Sequence, residues 1–181
     1  MLIALAGHAG SGKSTAIDIL RESCRCGVVY LGDTVRLEVA RRGLEPHAES
    51  ERAVREELRE REGQDAFARR SAHRIVEILN RGDVAFIDAV YHPQEYAFLA
   101  AEVSATAILL AIETSLETRI ARLAERSKRP ISGADLQRRD RYEIDTLRTG
   151  EVIAKATRID NDGTLDELRH SLRAFMRDRM P

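Results

Sequence analysis

Tryptophan is absent from the 181-residue chain and aromatic residues make up 4% of it. So few rings leave little on which successive nucleobases could stack, and a single-stranded nucleic-acid platform is disfavoured. Excess charge of either sign is missing as well. The 29 basic and 30 acidic residues leave a formal net charge of -1, which gives no global field to draw a polyanion or an anionic membrane surface. Affinity for phosphate must therefore be local.

Long apolar runs are also lacking. Nothing approaches the ~20 apolar residues of a membrane span, and the apolar run Met1 to Ala6 gives way at once to glycine. That run reads as a core strand and not as a signal peptide, so a cytoplasmic protein without membrane contact is expected. The two cysteines, Cys24 and Cys26, stand in a lone Cys-x-Cys with no second pair and no nearby histidine, which suits neither zinc nor a disulfide. Both are expected to stay reduced. The length suits one α/β domain with a sizeable core and is too short for two.

What is present begins at Gly7. The stretch Gly7-His8-Ala9-Gly10-Ser11-Gly12-Lys13-Ser14 fits G-x-x-x-x-G-K-[ST], and it follows an apolar strand and precedes the helical run Thr15 to Leu20, as a phosphate-binding loop does. Glycines let the backbone wrap an anion with its N–H groups pointing inward, and the new helix adds its positive end. An anion is the natural guest. In this pattern Lys13 reaches the β and γ phosphates, the Ser14 hydroxyl is placed to ligate Mg²⁺, and Thr15 sits near the α phosphate.

Further along, Gly27 is expected to break the first helix, and Val28 to Leu31 forms a short strand ending at Gly32-Asp33. Asp33 then lies at the carboxyl end of a strand, where open parallel sheets bind ligands. It is equally placed to N-cap the next helix, Thr34 to Arg42. Gly43 to Ser50 is a turn, and two charged helices follow, Glu49 to Gly63 and Asp65 to Asn80, more chain than a simple crossover requires. An inserted helical subdomain facing the loop accounts for it. Val84 to Ile87 is a third strand ending at Asp88, the Walker B arrangement in which a carboxylate organises Mg²⁺, with turn capping as the alternative.

His92-Pro93 opens a short helix through Ala101, Ala105 to Ile112 is the fourth strand, and Ser115 to Glu125 is helical. The basic turn Arg126 to Gly133 falls over the carboxyl edge of the sheet. A helix from Asp135 to Leu147 carries Arg138, Arg139 and Arg141, Gly150 to Ala156 leads to the last strand, Thr157 to Asn161, and Asp162-Gly163 is a turn. Thr164 should N-cap a final helix whose apolar face uses Leu165, Leu168, Leu172 and Phe175. Strands alternating with helices give a doubly wound α/β fold.

With these residues the chain resembles the P-loop nucleoside monophosphate kinases, the adenylate-kinase-like group, and most closely the adenylate-kinase-related and dephospho-CoA-kinase-like predicted nucleotide kinases common in archaea. The resemblance is carried by Gly7 to Thr15, Gly32-Asp33-Thr34-Val35-Arg36, Phe86-Ile87-Asp88, the Arg126 to Arg129 turn, Arg139 to Glu143 and Asn161 to Leu165. It implies a P-loop NTPase fold with a doubly wound, five-stranded, mainly parallel sheet. The core would be residues 1–33 and 81–181, with a helical acceptor-side insertion about 34–80 and a short arginine-rich lid about 126–135. It also implies that Arg36, beside Asp33, binds the acceptor phosphate, that Arg126 and Arg129 are lid arginines, and that Arg138, Arg139 and Arg141 are candidates for the arginines after the lid. Asn161 and Gly163 would lie beside the donor adenine. Where similar sequences tend to have Gly and Arg after the strand-ending Asp, this chain has Ala89-Val90-Tyr91.

The function expected is phosphoryl transfer from ATP to a nucleotide or nucleotide-like small molecule, a nucleoside monophosphate first and a dephospho-CoA-like hydroxyl next. Lys13, Mg²⁺ on Ser14 and Asp88, and the arginines would neutralise the transferring group, with Asp33 or Asp88 as base if the acceptor is a hydroxyl. The alternative is a nucleotide-binding ATPase switch read by a protein partner.

Overall fold

The computed structural model describes residues 1–104, 106–126 and 130–179. Strand β1, Leu2–Ala6, is buried along its whole length, because it runs between β3, Val84–Asp88, and β4, Ala107–Glu113. Strands β2, Cys26–Tyr30, and β5, Thr157–Asp160, complete the sheet in the order β2-β3-β1-β4-β5. Every strand pair is parallel, so the sheet is wholly and not just mainly so. Strands covered on both faces read as continuous apolar runs, as β1, β3 and β4 do in the sequence.

Alternate side chains of each strand feed opposite cores. Ile3, Leu5, Phe86, Leu110 and Ile112 pack against helix α1, Lys13–Arg21, and helix α9, Leu165–Arg177. Leu2, Ala4, Ala6, Ile87 and Ala111 face the other way, toward side chains of α2, Asp33–Arg41, α3, Ala48–Glu62, α4, Ala66–Asn80, and α8, Thr149–Lys155. Of the helices between β2 and β3, α4 lies on those two strands and acts as the crossover, while α2 and α3 extend beyond it. Helix α5, Pro93–Phe98, runs on into a π-helical stretch, Leu99–Val103. Helices α6, Leu116–Ala124, and α7, Gly133–Asp145, bury Leu123 and Leu136 against Ala9 of the phosphate loop. No helix among the described residues is long and apolar enough to cross a membrane.

Several local expectations are corrected. Gly27 does not break a helix; it lies inside β2, where a Cβ would stand 2.5 Å from Ile78 Cδ1 of α4. Gly32, and not Asp33, holds the cap position of α2, and Asp33 is its first helical residue. Residues Gly150 to Ala156 are not a lead-in: most of that stretch is α8, which buries Val152 and Ile153. In α9 the capping box of Thr164 with Glu167 forms and Leu168, Leu172 and Phe175 are buried, but Leu165 is 48% exposed. Met176 takes the fourth apolar position.

Candidate active site

The connection from β1 to α1 is held open by its glycines. Gly7, Gly10 and Gly12 have φ of 132°, 83° and 96°, values that L side chains avoid. A Cβ on Gly7 would run into the Ile112 carbonyl, and one on Gly12 into the amide of Asn161. Gly12 is the residue before α1, and no side chain caps that helix. Its first amides are therefore free to meet an anion, reinforced by the helix dipole. Ser11 Oγ is buried without a hydrogen-bond partner among the described residues, an arrangement that costs about 1–3 kcal/mol in a polar group. A triphosphate fits this cradle of glycines, helix amides and a buried hydroxyl.

The loop is braced from below. Its Ser11 carbonyl accepts from Asn161 Nδ2 at 2.8 Å and Thr114 Oγ1 at 3.0 Å, at the ends of β5 and β4. Its Ala9 carbonyl accepts from Arg119 Nη1 of α6 at 3.2 Å. Above, His8 Nδ1 lies 3.2 Å from Glu143 Oε2, and Glu143 Oε1 accepts from Arg139 Nε at 2.7 Å. Burial pushes the Glu143 carboxyl up, but the His8 contact and the charges of Arg139 and Lys13 outweigh it and leave Glu143 below the usual range.

Lys13 donates from Nζ to the carbonyls of Gly7 at 2.7 Å and His8 at 3.0 Å. Burial lowers its pKa to about 8, against the attraction of Asp88 and Glu143. Asp88 ends β3, level with Leu5 on one side and Tyr30 on the other, and burial raises its carboxyl while Lys13 opposes the shift. The two groups feel each other's charge across the carboxyl edge of the sheet. Ser14 and Thr15 are exposed on the first turn of α1, so the Ser14 hydroxyl and the Asp88 carboxylate are hard oxygen donors suited to Mg²⁺.

Beside this lies a cavity of about 320 Å³. Ala89 and Tyr91, which continue from Asp88, form part of its wall, with Gly32, Arg36, Arg59 and Arg139 around it. Arg36 lies 5.2 Å from the Tyr30 ring centre and reaches Asp33 Oδ1 at 3.3 Å. Asp33 itself is outside the lining, 3.9 Å from Arg74 Nη2 of α4.

The arginines of α7 divide by helical phase. Arg139 faces the cavity, whereas Arg138 pairs with Asp135 on the outer surface and Arg141 is exposed away from the lining. Arg126 is exposed, Arg129 lies outside the described residues, and so does part of the expected lid. Asn161 is buried under the loop, and Gly163 is exposed at the turn before α9.

The sequence gives no role to Arg59 and Arg119, nor to Asp140 and Glu143 beyond their place in the stretch Arg139 to Glu143. For Arg59 a signal existed: Arg55 and Arg59 run beside the apolar pair Val54 and Leu58 of α3, so the same face that docks the helix carries two arginines inward. For Glu143 the spacing to Arg139 on one helix was the available hint.

Residues 3–144 match the AAA domain model. The chain is similar to a UPF0200 protein of Methanothrix thermoacetophila, 38% identical over 183 residues that cover 98% of this chain and 97% of that one. Among solved structures it is similar to TT1252 from Thermus thermophilus, with a TM-score of 0.69 and 19% identity over 100% of this chain and 98% of that one. Shikimate kinase from Bacteroides thetaiotaomicron superposes with a TM-score of 0.61 and 13% identity, covering 98% of each chain. At these identities the structural likeness speaks for the fold.

Proposed function

The chain belongs to the UPF0200 family and carries its AAA domain on a P-loop kinase-like fold, and from that premise we propose that it is an ATP-dependent small-molecule kinase. It transfers the γ-phosphoryl group of ATP to a nucleotide or nucleotide-like acceptor, a nucleoside monophosphate first and a dephospho-CoA-like hydroxyl next. The observation that carries this reading is the cavity lined by Arg36 and Arg139 that opens beside Asp88, the carboxylate facing Lys13. A switch that only hydrolyses ATP has no use for a second, arginine-lined chamber.

In this reading the loop amides and Lys13 hold the β and γ phosphates, and Ser14 and Asp88 hold Mg²⁺, which neutralises phosphate charge when bound. An acceptor oxygen in the cavity forms the new O–P bond as the bond from the γ-phosphorus to the bridging oxygen breaks. A phosphate acceptor arrives without a proton to lose. A hydroxyl acceptor gives its proton to a carboxylate, Asp88 being the one whose strand leads into the cavity wall, with Asp33 on the far side of Arg36. Arg139 is fixed by Glu143 at 2.7 Å and meets the acceptor side, with Arg126 and Arg129 as the further arginines assigned to the transferring group. Paired N–H bonds from such arginines are strongest where water is excluded.

The test is ATP turnover with and without a panel of nucleoside monophosphates, dephospho-CoA and small alcohols. Stimulation by an acceptor with transfer of labelled γ-phosphate supports the kinase. Turnover that no acceptor alters replaces it with the ATPase switch.

A further inference from the structure

Arg59 of α3 is 6% exposed and lines the cavity. Its Cζ stands 4.7 Å from the centre of the Phe67 ring, and its Nη2 is 3.8 Å from Glu95 Oε1. The remaining donors, Nε and Nη1, are buried with no hydrogen-bond partner among the described residues. Glu95 does not turn to serve them, because its Oε2 already accepts from the amides of Tyr91 at 2.8 Å and His92 at 3.0 Å. A guanidinium keeps its charge and has no acceptor of its own, so these donors call for oxygen from outside the chain.

The wall as a whole agrees. Four arginines and three glutamates line the cavity, which with all of them ionised leaves one positive charge in excess. Arg139 and Arg36 have carboxylate partners in Glu143 and Asp33; Arg59 meets Glu95 on one side only. It also supplies a cation on the very wall where the sequence has Ala89-Val90-Tyr91.

We propose that Arg59 is the oxyanion seat of the acceptor site, taking a phosphate or carboxylate group of the acceptor on its two unpartnered donors. This rests on the kinase reading and narrows its substrate to an anionic acceptor small enough to enter about 320 Å³.

The chain provides its own reporter, since it has 4 tyrosines and no tryptophan and Tyr30, Tyr91 and Tyr142 line the cavity. With the phosphate loop saturated by a nonhydrolysable ATP analogue and Mg²⁺, tyrosine fluorescence is followed on titration with sodium phosphate, D-glycerate and, as the uncharged control, glycerol. A saturable response to either anion and none to glycerol is expected; phosphate alone points to a phosphorylated acceptor, glycerate alone to a carboxylate one. The double variant Arg59→Met/Glu95→Gln leaves no buried charge unpaired and should weaken that response by about tenfold or more, the scale of a lost charge-assisted bond. Should the double variant not fold, Arg59→Lys serves, keeping the charge but misplacing the donors and again weakening the anion. An anion response that survives both substitutions unchanged, or none in the wild type, overturns the proposal. Binding of the ATP analogue, read separately by calorimetry, decides the kinase reading instead.

Discussion

The guanidinium of Arg119 meets the carboxylate of Asp140 through two hydrogen bonds, 3.0 and 2.6 Å long, both side chains being largely buried. Arg119 spends a further donor on the Ala9 carbonyl, so the pair fastens α6 and α7 to the phosphate loop. A movement of α7, which carries Arg139 into the cavity, therefore cannot leave the loop unaffected.

Removing one partner strands the other. Asp140→Ala should lower stability by about 3–5 kcal/mol, the penalty of an uncompensated buried charge. The double variant Arg119→Met/Asp140→Leu should recover most of that in urea unfolding, because an apolar pair replaces a buried ionic one without leaving a charge behind. Its ATP affinity should stay low, since the bond to Ala9 is gone. Recovery of both stability and affinity would mean that the pair serves the core and not the loop.

Lys13 offers a pH test. Its pKa falls from 10.5 to about 8 in the fold, so between those values the unfolded chain binds the proton that the folded chain has released. Stability relative to Lys13→Met should consequently rise as the pH climbs from about 8 to 10.5. Affinity for ATP should move the opposite way and weaken as the pH passes about 8, because the anion then meets a neutral amine. Lys13→Met should bind weakly at every pH and lose turnover by about 10²-fold or more. A wild-type affinity that stays flat from pH 7 to 10 would remove the charged role assigned to this lysine.

Much of this site was legible in the chain because its signals are local. The loop announces itself within Gly7 to Ser14, and Asp88 ends an apolar run that only a central strand would produce. Thr164 was readable as a cap for the same reason. What escaped was decided by distant partners. Nothing around Gly27 says that Ile78, some fifty residues on, will press against it, and Arg59 sits in a run of alternating charges whose burial appears only once α3 docks. The choice of Arg139 over Arg138 and Arg141 likewise depends on the phase at which α7 meets the loop, which Glu143 and Asp140 set through His8 and Arg119.

The two strand-end carboxylates can be separated by Asn substitution, which keeps shape and removes charge. Asp88→Asn should shift the Mg²⁺ dependence of turnover to higher concentration, since a hard carboxylate is replaced by a neutral amide. Asp33→Asn should leave that dependence in place and raise the acceptor KM, by freeing Arg36 from its 3.3 Å contact. Metal titrations that coincide for wild type and Asp88→Asn would detach Asp88 from the metal.

Asn161 distinguishes a brace from a base contact. Its side chain is buried, its Nδ2 donates to the Ser11 carbonyl at 2.8 Å, and it occupies the space that a Cβ on Gly12 would need. The resemblance to nucleotide kinases would put the same residue beside the donor adenine, but an amide committed to the loop has one fewer donor for a base. Asn161→Ala should then loosen the loop and weaken ATP and GTP alike, by about tenfold, the worth of one buried hydrogen bond and the group it leaves unpaired. The ratio of the two affinities should not change. Side-by-side titration of both nucleotides reads this directly: a ratio that moves severalfold toward GTP would place the Asn161 amide at the base, and an unaltered ratio with intact affinity would show that Thr114, at 3.0 Å from the same carbonyl, holds the loop without it.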